Sequence, residues 1–198
     1  MRFDLHVHSA ISPCSKLQPD EIIATAGRRG LSGICITDHD TMAVRNYLRE
    51  GIQENGLCVI FGMEYTTSQG DFLLFGPFEE LRPGLDATEI LRHVEAVGGV
   101  AVAAHPFRKN RATAECLIDM GLCGIVEGIN GRNQPNENHS VSLWTKRYGV
   151  KTVGGSDAHT PMEIGRMVTR FSSAIQSRSH LITALKGDDF SPEAHVTQ

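Results

Sequence analysis

The sequence has neither an excess of positive charge nor a long apolar run, and each absence excludes a class of protein. Its 19 lysines and arginines stand against 23 aspartates and glutamates, so no bulk positive field would hold a polyanion by charge alone. We therefore expect no stable nucleic-acid binding. No stretch reaches the roughly 18 apolar residues of a membrane-spanning helix, and Asp4 and His6 stand where a signal peptide has its apolar core. We expect a cytoplasmic protein without a membrane partner.

Two fingerprints of common enzymes are also missing. No glycine-rich G-x-G-x-x-G or Walker sequence follows an apolar run, so a nucleotide-binding doubly wound domain has no support. The Gly-x-Ser-x-Gly sequence of serine hydrolases is absent as well. The five cysteines are odd in number and scattered, which is typical of reduced side chains that pack as small hydrophobic groups.

Apolar runs of strand length alternate along the chain with segments of helical period. The seven predicted strands are 3–8, 33–37, 58–65, 72–75, 100–104, 124–129 and 152–154. The predicted helices are 19–29, 41–54, 87–97, 113–120, 137–148 and 179–186. Repeated β-α units indicate an α/β protein with a mostly parallel sheet, and seven strands in so short a chain favour a small, closed or nearly closed barrel. We expect one domain over 1–175 and a C-terminal helix and polar tail over 176–198, loose from 188 onwards.

Histidines and carboxylates occur at or just beyond the ends of these apolar runs. In chain order they are His6, His8, Asp38, His39, Glu64, His105, Asp157 and His159. The carboxyl ends of the strands of a β/α barrel meet at one rim, so these side chains are expected to lie close together. Imidazole combined with carboxylate suits Zn, Mn or Fe better than Ca or Mg. At about three or four ligands per ion, eight donors indicate at least two divalent metal ions.

Five short motifs in this set resemble the PHP (polymerase and histidinol phosphatase) domain family. They are Asp4-Leu5-His6-Val7-His8-Ser9, Ile36-Thr37-Asp38-His39-Asp40, Gly62-Met63-Glu64, Ala104-His105-Pro106 and Gly155-Ser156-Asp157-Ala158-His159. They occur in the family's order and extend from residue 4 to about 165. The resemblance implies a distorted, seven-stranded, TIM-like β/α barrel of the PHP type. It also implies two or three Zn, Mn or Fe ions and the hydrolysis of phosphate esters.

The resemblance divides the expected metal ligands into three groups. These are His6, His8, Glu64 and Asp157 for one ion, His39 and His159 for a second, and Glu64 with His105 for a third. Two positions depart from the commonest family pattern, because Cys14 stands in the first loop and Asp71 precedes residues 72–76. Both side chains can bind metal, and a thiolate would favour zinc or iron. Alternatively Cys14 is a buried loop cysteine, and one of the three ions is weak or absent if neither residue binds metal.

The implied reaction needs a nucleophile and positive groups that face the phosphate. A hydroxide that bridges two metals forms near neutral pH because bound water is acidified to a pKa of roughly 7. The expected catalytic residues are Glu64, Asp157 and His159. The expected substrate contacts are Arg108, Arg132 and His139, of which the arginines match phosphate oxygens, whereas His139 could merely decorate a helix. The short segment between His105 and Gly124 lacks a lid insertion, so we expect an open site for a small phosphomonoester such as a nucleotide or sugar phosphate.

Other functions fit parts of this pattern. Amidohydrolases use a related barrel with H-x-H on the first strand and attack C–N bonds, but they usually carry a lysine or a second histidine pair at the middle strands. This chain has Asp38-His39 and Glu64 there. A non-catalytic module that binds metal or a phosphorylated ligand would be indicated by the loss of ligands, and the main candidate ligands are all present. Nuclease activity is a minor alternative, and the sequence does not indicate an oligomeric state.

Overall fold

Residues 1–195, which the computed structural model describes, form two β-sheets with helices packed against them. The strands are β1 (Arg2–Val7), β2 (Gly33–Ile36), β3 (Gly51–Ile52), β4 (Cys58–Phe61), β5 (Met63–Thr67), β6 (Gly70–Phe75), β7 (Val100–Ala103), β8 (Ile125–Asn130), β9 (Lys151–Gly155), β10 (Met167–Phe171) and β11 (Phe190–Ala194). The α-helices are α1 (Pro19–Arg28), α2 (Ala87–Ala96), α3 (Glu115–Asp119), α4 (Pro135–Tyr148) and α5 (Arg178–Lys186). None of the helices in this range is long and apolar enough to cross a membrane.

The strands lie in two separate sheets. The first has the order β11-β10-β1-β2-β4-β3, and the second has the order β5-β6-β7-β8-β9. Four neighbouring pairs are parallel, namely β1 with β2, β2 with β4, β7 with β8 and β8 with β9. Isolated bridges join Val7 to Ala158 and His39 to Glu64. The predicted α/β class is confirmed, but the strands are not closed into one seven-stranded barrel, because eleven described strands are divided between two sheets.

The predicted strand over 58–65 is divided at Gly62. The residues before Gly62 form β4 in the first sheet, and those after it form β5 in the second sheet. A Cβ atom at position 62 would lie 2.8 Å from the carbonyl oxygen of Leu74 and 2.8 Å from the ring of Phe75. Only glycine fits this close approach of the backbone. Both strands are largely buried, so the apolar run continues across the change of sheet.

The predicted helix over 41–54 is wrong. This segment contains a 3₁₀ helix, Ala43–Asn46, followed by β3, which pairs antiparallel with β4. Gly51 has a φ of +110°, which a helix does not accommodate and which residues with a side chain rarely adopt. Glu50 forms an ion pair with Arg178 at 2.7 Å, so it contacts the start of α5 instead of continuing a helical face.

The end of the described chain belongs to the first sheet. β10 pairs antiparallel with β1, and β11 pairs antiparallel with β10. The expectation of a loose tail from 188 is therefore wrong for Phe190–Ala194. The sequence of this segment carries little apolar signal and its side chains are partly exposed, but its backbone is paired with β10. The last residues of the expected tail, 196–198, lie outside the described residues. The predicted C-terminal helix is confirmed as α5, with the Ser177 side chain accepting a hydrogen bond from the His180 N–H.

Alternate strand residues pack into two hydrophobic clusters. Phe3, Leu73 and Val153 belong to one cluster, whereas the other cluster combines strand residues such as Val59 and Leu74 with residues of α1 to α4. This burial on both faces explains the continuous apolar runs in the sequence. Leu181 and Leu185 of α5 belong to the first cluster, so this helix contributes directly to the core.

Truncation of Leu181 to alanine tests this contribution of α5. Leu181 is fully buried, so Leu181→Ala is expected to lower the free energy of unfolding by about 2–5 kcal/mol through lost contacts and a new cavity. Leu143→Ala makes the same change on α4 at a side chain that is 61% exposed, and it should shift stability by less than about 0.5 kcal/mol. Urea unfolding measures both, and equal effects would contradict the packing of α5.

Candidate metal centre

Histidine, carboxylate and thiol groups from distant segments meet where the parallel strands end. Four groups of three residues could each hold a metal ion, because within each group the possible ligand atoms lie within 4.8 Å of one another. The groups are His6–His8–Asp157, His8–His39–Glu64, Glu64–Asp71–His105 and His8–Cys14–His159. His6 lies on β1, Glu64 on β5 and Asp71 on β6, and the others follow β1, β2, β7 or β9. All nine residues that the sequence predicts as metal ligands therefore lie in one cluster.

Glu64 lies at the middle of the cluster. Its Oε1 is 2.8 Å from Nε2 of His105. Its Oε2 is 3.4 Å from Nε2 of His6, 3.2 Å from Nε2 of His8 and 3.1 Å from Nδ1 of His39. Burial would raise the pKa of Glu64, but the interaction with His6 and the hydrogen bonds from neighbouring histidines hold it well below its usual value. Glu64 is therefore a carboxylate in contact with histidines of three groups.

Asp157 faces Glu64 across the pair formed by His6 and His8. Its Oδ1 lies 3.7 Å from Nε2 of His6 and 3.4 Å from Nε2 of His8. Burial would raise the pKa of Asp157, but His6 and His8 hold it well below its usual value. Asp157 has a φ of +54° and His105 has a φ of +32°. Both residues adopt left-handed backbone conformations that side chains disfavour and that cluster at functional sites.

Three side-chain atoms of the cluster make no hydrogen bond within the described residues. They are Nδ1 of His39, Nδ1 of His105 and Oδ2 of Asp71, and all three are buried. Burial lowers the pKa of His39 to about 4, so its ring is neutral at neutral pH. Arg111 lies 2.8 Å from the Asp71 oxygen, at an angle that gives no hydrogen bond. Buried lone pairs without a donor are costly, and a bound cation would satisfy them.

Cys14 and His159 form the outer edge of the cluster. Nε2 of His159 lies 3.1 Å from Sγ of Cys14, and Nδ1 of His159 donates a hydrogen bond to the carbonyl oxygen of Asp157 at 2.8 Å. The Nε2 lone pair of a neutral ring therefore faces the thiol. Burial and His8 lower the pKa of His159, and partial burial raises that of Cys14. Cys14 is exposed, so the alternative that it is a buried loop cysteine is wrong.

Asp38 lies beside the cluster but belongs to none of the four groups. Its Oδ1 accepts hydrogen bonds from the Ser9 N–H at 2.8 Å and the Ser12 hydroxyl at 2.7 Å, and its Oδ2 accepts one from the Ser9 hydroxyl at 2.6 Å. The Ser12 hydroxyl oxygen also accepts a hydrogen bond from the His39 N–H at 3.0 Å. Asp38 therefore anchors the loop that carries Cys14, in place of the ligand role that its position suggests.

A cavity of about 240 Å³ opens onto the cluster. It is lined by Cys14, His39, Glu64, Arg108, Arg111, Arg132, Asp157 and His159. Arg108 reaches Oδ2 of Asp157 at 2.8 Å and donates to Asn130 and Asn133 at 2.8 and 3.0 Å. Arg108 and Arg132 thus lie where the sequence predicts substrate contacts. The structure does not bring His139 to this cavity, because His139 is exposed on α4 and is not among the lining residues.

The sequence pattern does not predict two further residues of the centre. Arg111 lines the cavity, but in the sequence it is one of several basic residues after His105 and carries no distinguishing signal. Glu127 is fully buried on β8, with one oxygen 2.9 Å from Nδ1 of His6. The sequence does offer one indication of Glu127, namely an acidic residue inside an apolar strand. Such a side chain is rarely buried without a partner, so its position points to one.

Comparison with known sequences identifies the family. The PHP domain profile matches residues 4–198, so the chain belongs to the PHP domain family, as the five motifs predict. An uncharacterized protein of Methanocaldococcus jannaschii is 28% identical over 154 residues, which cover 72% of this chain and 90% of that protein. A phosphoribosyl 1,2-cyclic phosphate 1,2-diphosphodiesterase of Eggerthella lenta is 24% identical over 199 residues, which cover 98% of this chain and 58% of that enzyme.

Solved structures share the fold at low sequence identity. PsfC of Pseudomonas syringae has a TM-score of 0.77 at 20% identity, covering 98% of this chain and 91% of PsfC. A two-domain protein of Bacteroides vulgatus with a predicted PHP-like metal-dependent phosphoesterase has a TM-score of 0.73 at 19% identity, covering 98% and 65%. Endonuclease Q of Pyrococcus furiosus has a TM-score of 0.68 at 17% identity, covering 93% and 55%. The predicted enzyme class, metal-dependent phosphoesterase, is the class that such relatives carry in their names.

Proposed function

We propose that this protein is a metal-dependent hydrolase of phosphate esters that acts on small phosphomonoesters such as nucleotides or sugar phosphates. One observation carries the proposal, namely that a cluster of imidazoles and carboxylates lies directly beneath a cavity lined by three arginines. Imidazoles and carboxylates bind divalent metals, and the guanidinium groups of arginines pair with phosphate oxygens. The two features together suit a substrate whose phosphoryl group lies between metal and arginine.

We infer that two or three divalent ions, Zn, Mn or Fe, bind in this centre. The proposed ligands are His6, His8, Cys14, His39, Glu64, Asp71, His105, Asp157 and His159. The side chains fit such ions, because Nδ1 of His39 and Oδ2 of Asp71 make no hydrogen bond within the described residues and the groups supply nitrogen, oxygen and sulfur donors. When bound, the ions would acidify a water molecule and neutralise charge on the phosphoryl oxygens.

The proposed catalytic residues are Glu64, Asp157 and His159, which all line the cavity. Glu64 contacts histidines of several groups and would keep neighbouring ions close together. Asp157 orients the Arg108 guanidinium through the contact at 2.8 Å. His159 presents a neutral Nε2 at the cavity, so it can bind an ion or accept a proton there.

Arg108, Arg111 and Arg132 are the proposed substrate contacts. Arg108 and Arg111 are each held by an acidic side chain, so their guanidinium groups are pre-positioned. Arg132 is exposed and, unlike the other two, forms no ion pair with an acidic side chain of the described residues, so its guanidinium is free to meet a substrate phosphate. His139 has no contact that supports a role in this reaction and stays a prediction from the sequence.

Nucleic acid is the second substrate class, because endonuclease Q, which shares the fold, is solved with a DNA duplex that carries an abasic lesion. A phosphodiester of DNA and a small phosphomonoester place the same phosphoryl chemistry at a metal centre. The net charge of −4 favours the small substrate. Amide hydrolysis and a purely binding role are the outcomes that remain if no phosphate ester is cleaved.

Replacement of Asp157 tests the proposed activity. Asp157→Asn is expected to lower kcat/KM at least about 100-fold. Even the loss of a residue that only orients a metal ligand typically lowers metal affinity or activity about 10- to 100-fold. Release of phosphate from nucleoside monophosphates, sugar phosphates and p-nitrophenyl phosphate by the Mn- or Zn-loaded protein measures this effect, with a bis-aryl phosphate and an oligonucleotide in parallel. Asp119→Asn, an exposed change at the end of α3, is the matched control.

The panel also separates the alternatives. Cleavage of the oligonucleotide without release of phosphate from any monoester would replace the phosphomonoesterase by a nuclease. Equal inactivity of the wild type and Asp157→Asn toward every ester, in protein that holds its metals, would contradict the proposed function.

Proton release on zinc binding tests the Cys14 ligand. Burial lowers the pKa of His6, but Glu127, Asp157 and Glu64 together hold it well above its usual value, and the pKa of the Cys14 thiol is raised. Both groups therefore carry protons at pH 7 that zinc must displace, so zinc affinity should rise with pH. Calorimetry in buffers of different ionisation enthalpy should show one proton fewer for Cys14→Ser and no change for the exposed Cys116→Ser. Equal release from wild type and Cys14→Ser would argue against a thiolate ligand.

Removal of the Arg132 charge tests the substrate contact. Arg132→Met is expected to raise KM for a phosphomonoester about 10-fold or more, because a charge-assisted hydrogen bond is worth about 1.5–3 kcal/mol. Steady-state kinetics of Arg132→Met and of Arg92→Met, an exposed change on α2, give the comparison. An unchanged KM in Arg132→Met would remove this residue from the binding site.

A further inference from the structure

Glu127 is a fully buried carboxylate behind the centre, and it is not itself in any group of possible ligands. Its Oε1 lies 2.9 Å from Nδ1 of His6. Its Oε2 accepts hydrogen bonds from the His105 N–H at 2.8 Å and from Nδ2 of Asn130 at 2.8 Å. Both oxygens are therefore occupied by protein donors, and Glu127 does not line the cavity.

The first contact determines which nitrogen of His6 faces the centre. A carboxylate only accepts hydrogen bonds, so Nδ1 of His6 carries the proton of this contact. Nε2 then points to the opposite side, where Nε2 of His8 lies at 3.0 Å and Oε2 of Glu64 at 3.4 Å. Orientation of an imidazole through its second nitrogen is a common feature of histidines that bind metal.

The second contact supports the backbone of His105. This residue follows β7 and has a φ of +32°, which is unfavourable for a residue with a side chain. The hydrogen bond from its N–H to Glu127 helps to hold this conformation. In it, Nε2 of His105 lies 2.8 Å from Oε1 of Glu64.

The neighbouring strand leaves room for this carboxylate. A Cβ atom at Gly155 of β9 would lie 2.6 Å from Oε1 of Glu127 and 2.6 Å from Cβ of His6. Real Cβ atoms do not approach other atoms so closely, so a side chain at Gly155 would displace Glu127 or His6. The contact between Glu127 and His6 therefore requires glycine at position 155.

His6 and His105 belong to different groups of possible ligands, namely His6–His8–Asp157 and Glu64–Asp71–His105. We propose that Glu127 is a positioning residue that holds ligands of two metal positions at once, so that both positions depend on one buried charge. The proposal rests on the metal binding in the proposed function but not on the reaction that follows. Glu127 acts through His6 and His105 and does not touch substrate.

Zinc stoichiometry tests this double dependence. Glu127→Gln keeps the shape of the side chain but removes its charge and presents an amide N–H₂ to one of its present donors. We expect zinc affinity to fall about 10- to 100-fold at both positions, so that the variant loses two ions at a free zinc concentration where the wild type is full. Asp71→Asn, which changes a ligand of one group only, should lose a single ion at that concentration. Native mass spectrometry with a chelator that buffers zinc counts the ions.

A second measurement reports on His6 directly and does not depend on metal. The Nδ1–H of His6 in metal-free, ¹⁵N-histidine-labelled protein should give a downfield, slowly exchanging signal that is lost or shifted upfield in Glu127→Gln. Asp4→Asn is the matched control, because Asp4 is also a fully buried carboxylate but accepts hydrogen bonds from Ser156, Gly165 and the backbone of His6. It should destabilise the fold and keep the His6 signal.

Three results would overturn the proposal. They are a Glu127→Gln protein that keeps its zinc, one that loses a single ion, and a wild type without a hydrogen-bonded His6 Nδ1–H signal. The last can be read without any variant, so it remains decisive if Glu127→Gln does not fold. Failure of the wild type to cleave phosphate esters would end the proposed function but would change neither the zinc count nor the His6 signal.

Discussion

The centre depends on the mutual neutralisation of buried charges. Glu64, Asp157 and Glu127 are carboxylates with almost no contact with water, and each lies beside His6. An isolated buried carboxylate would take up a proton, because burial disfavours the charged form. His6 opposes this effect for Glu64 and Asp157 and is itself favoured in its charged form by the same groups. Glu64 and Asp157 therefore remain anionic in the protein interior, where a divalent cation can bind them.

The same groups lie where the two sheets meet. The isolated bridge between His39 and Glu64 connects the first sheet to the second on one side, and the bridge between Val7 and Ala158 does so on the other. Every residue of these bridges is a possible ligand or the neighbour of one. Backbone hydrogen bonds from the N–H groups of Asp40, Glu64, His8 and Ala158 already cross between the sheets there. Ions bound by the converging side chains would therefore add a second connection at the place where the backbone makes the first.

The sequence predicted the side chains at strand ends better than the path of the chain between them. His8, His105 and Asp157 lie at or just beyond the ends of apolar runs, so their convergence needs only parallel strands that end at one rim. The sequence does not predict the boundary at Gly62, because buried apolar residues continue on both sides of it. It does not predict β11 either, because the backbone of a largely polar segment makes this pairing. Glu127 acts from behind the ligands, and its partners on β1 and after β7 are known only once the strands are placed.

The first loop is anchored independently of the residue at its tip. Asp38 binds the backbone and hydroxyl of Ser9 and the hydroxyl of Ser12, so the path of the loop does not depend on the side chain at position 14. Exchange of Cys14, a proposed ligand, for histidine or aspartate would alter the hardness of one proposed donor and leave the loop in place. A fold of this kind can therefore acquire a new metal preference through a single substitution, without rebuilding the rest of its centre.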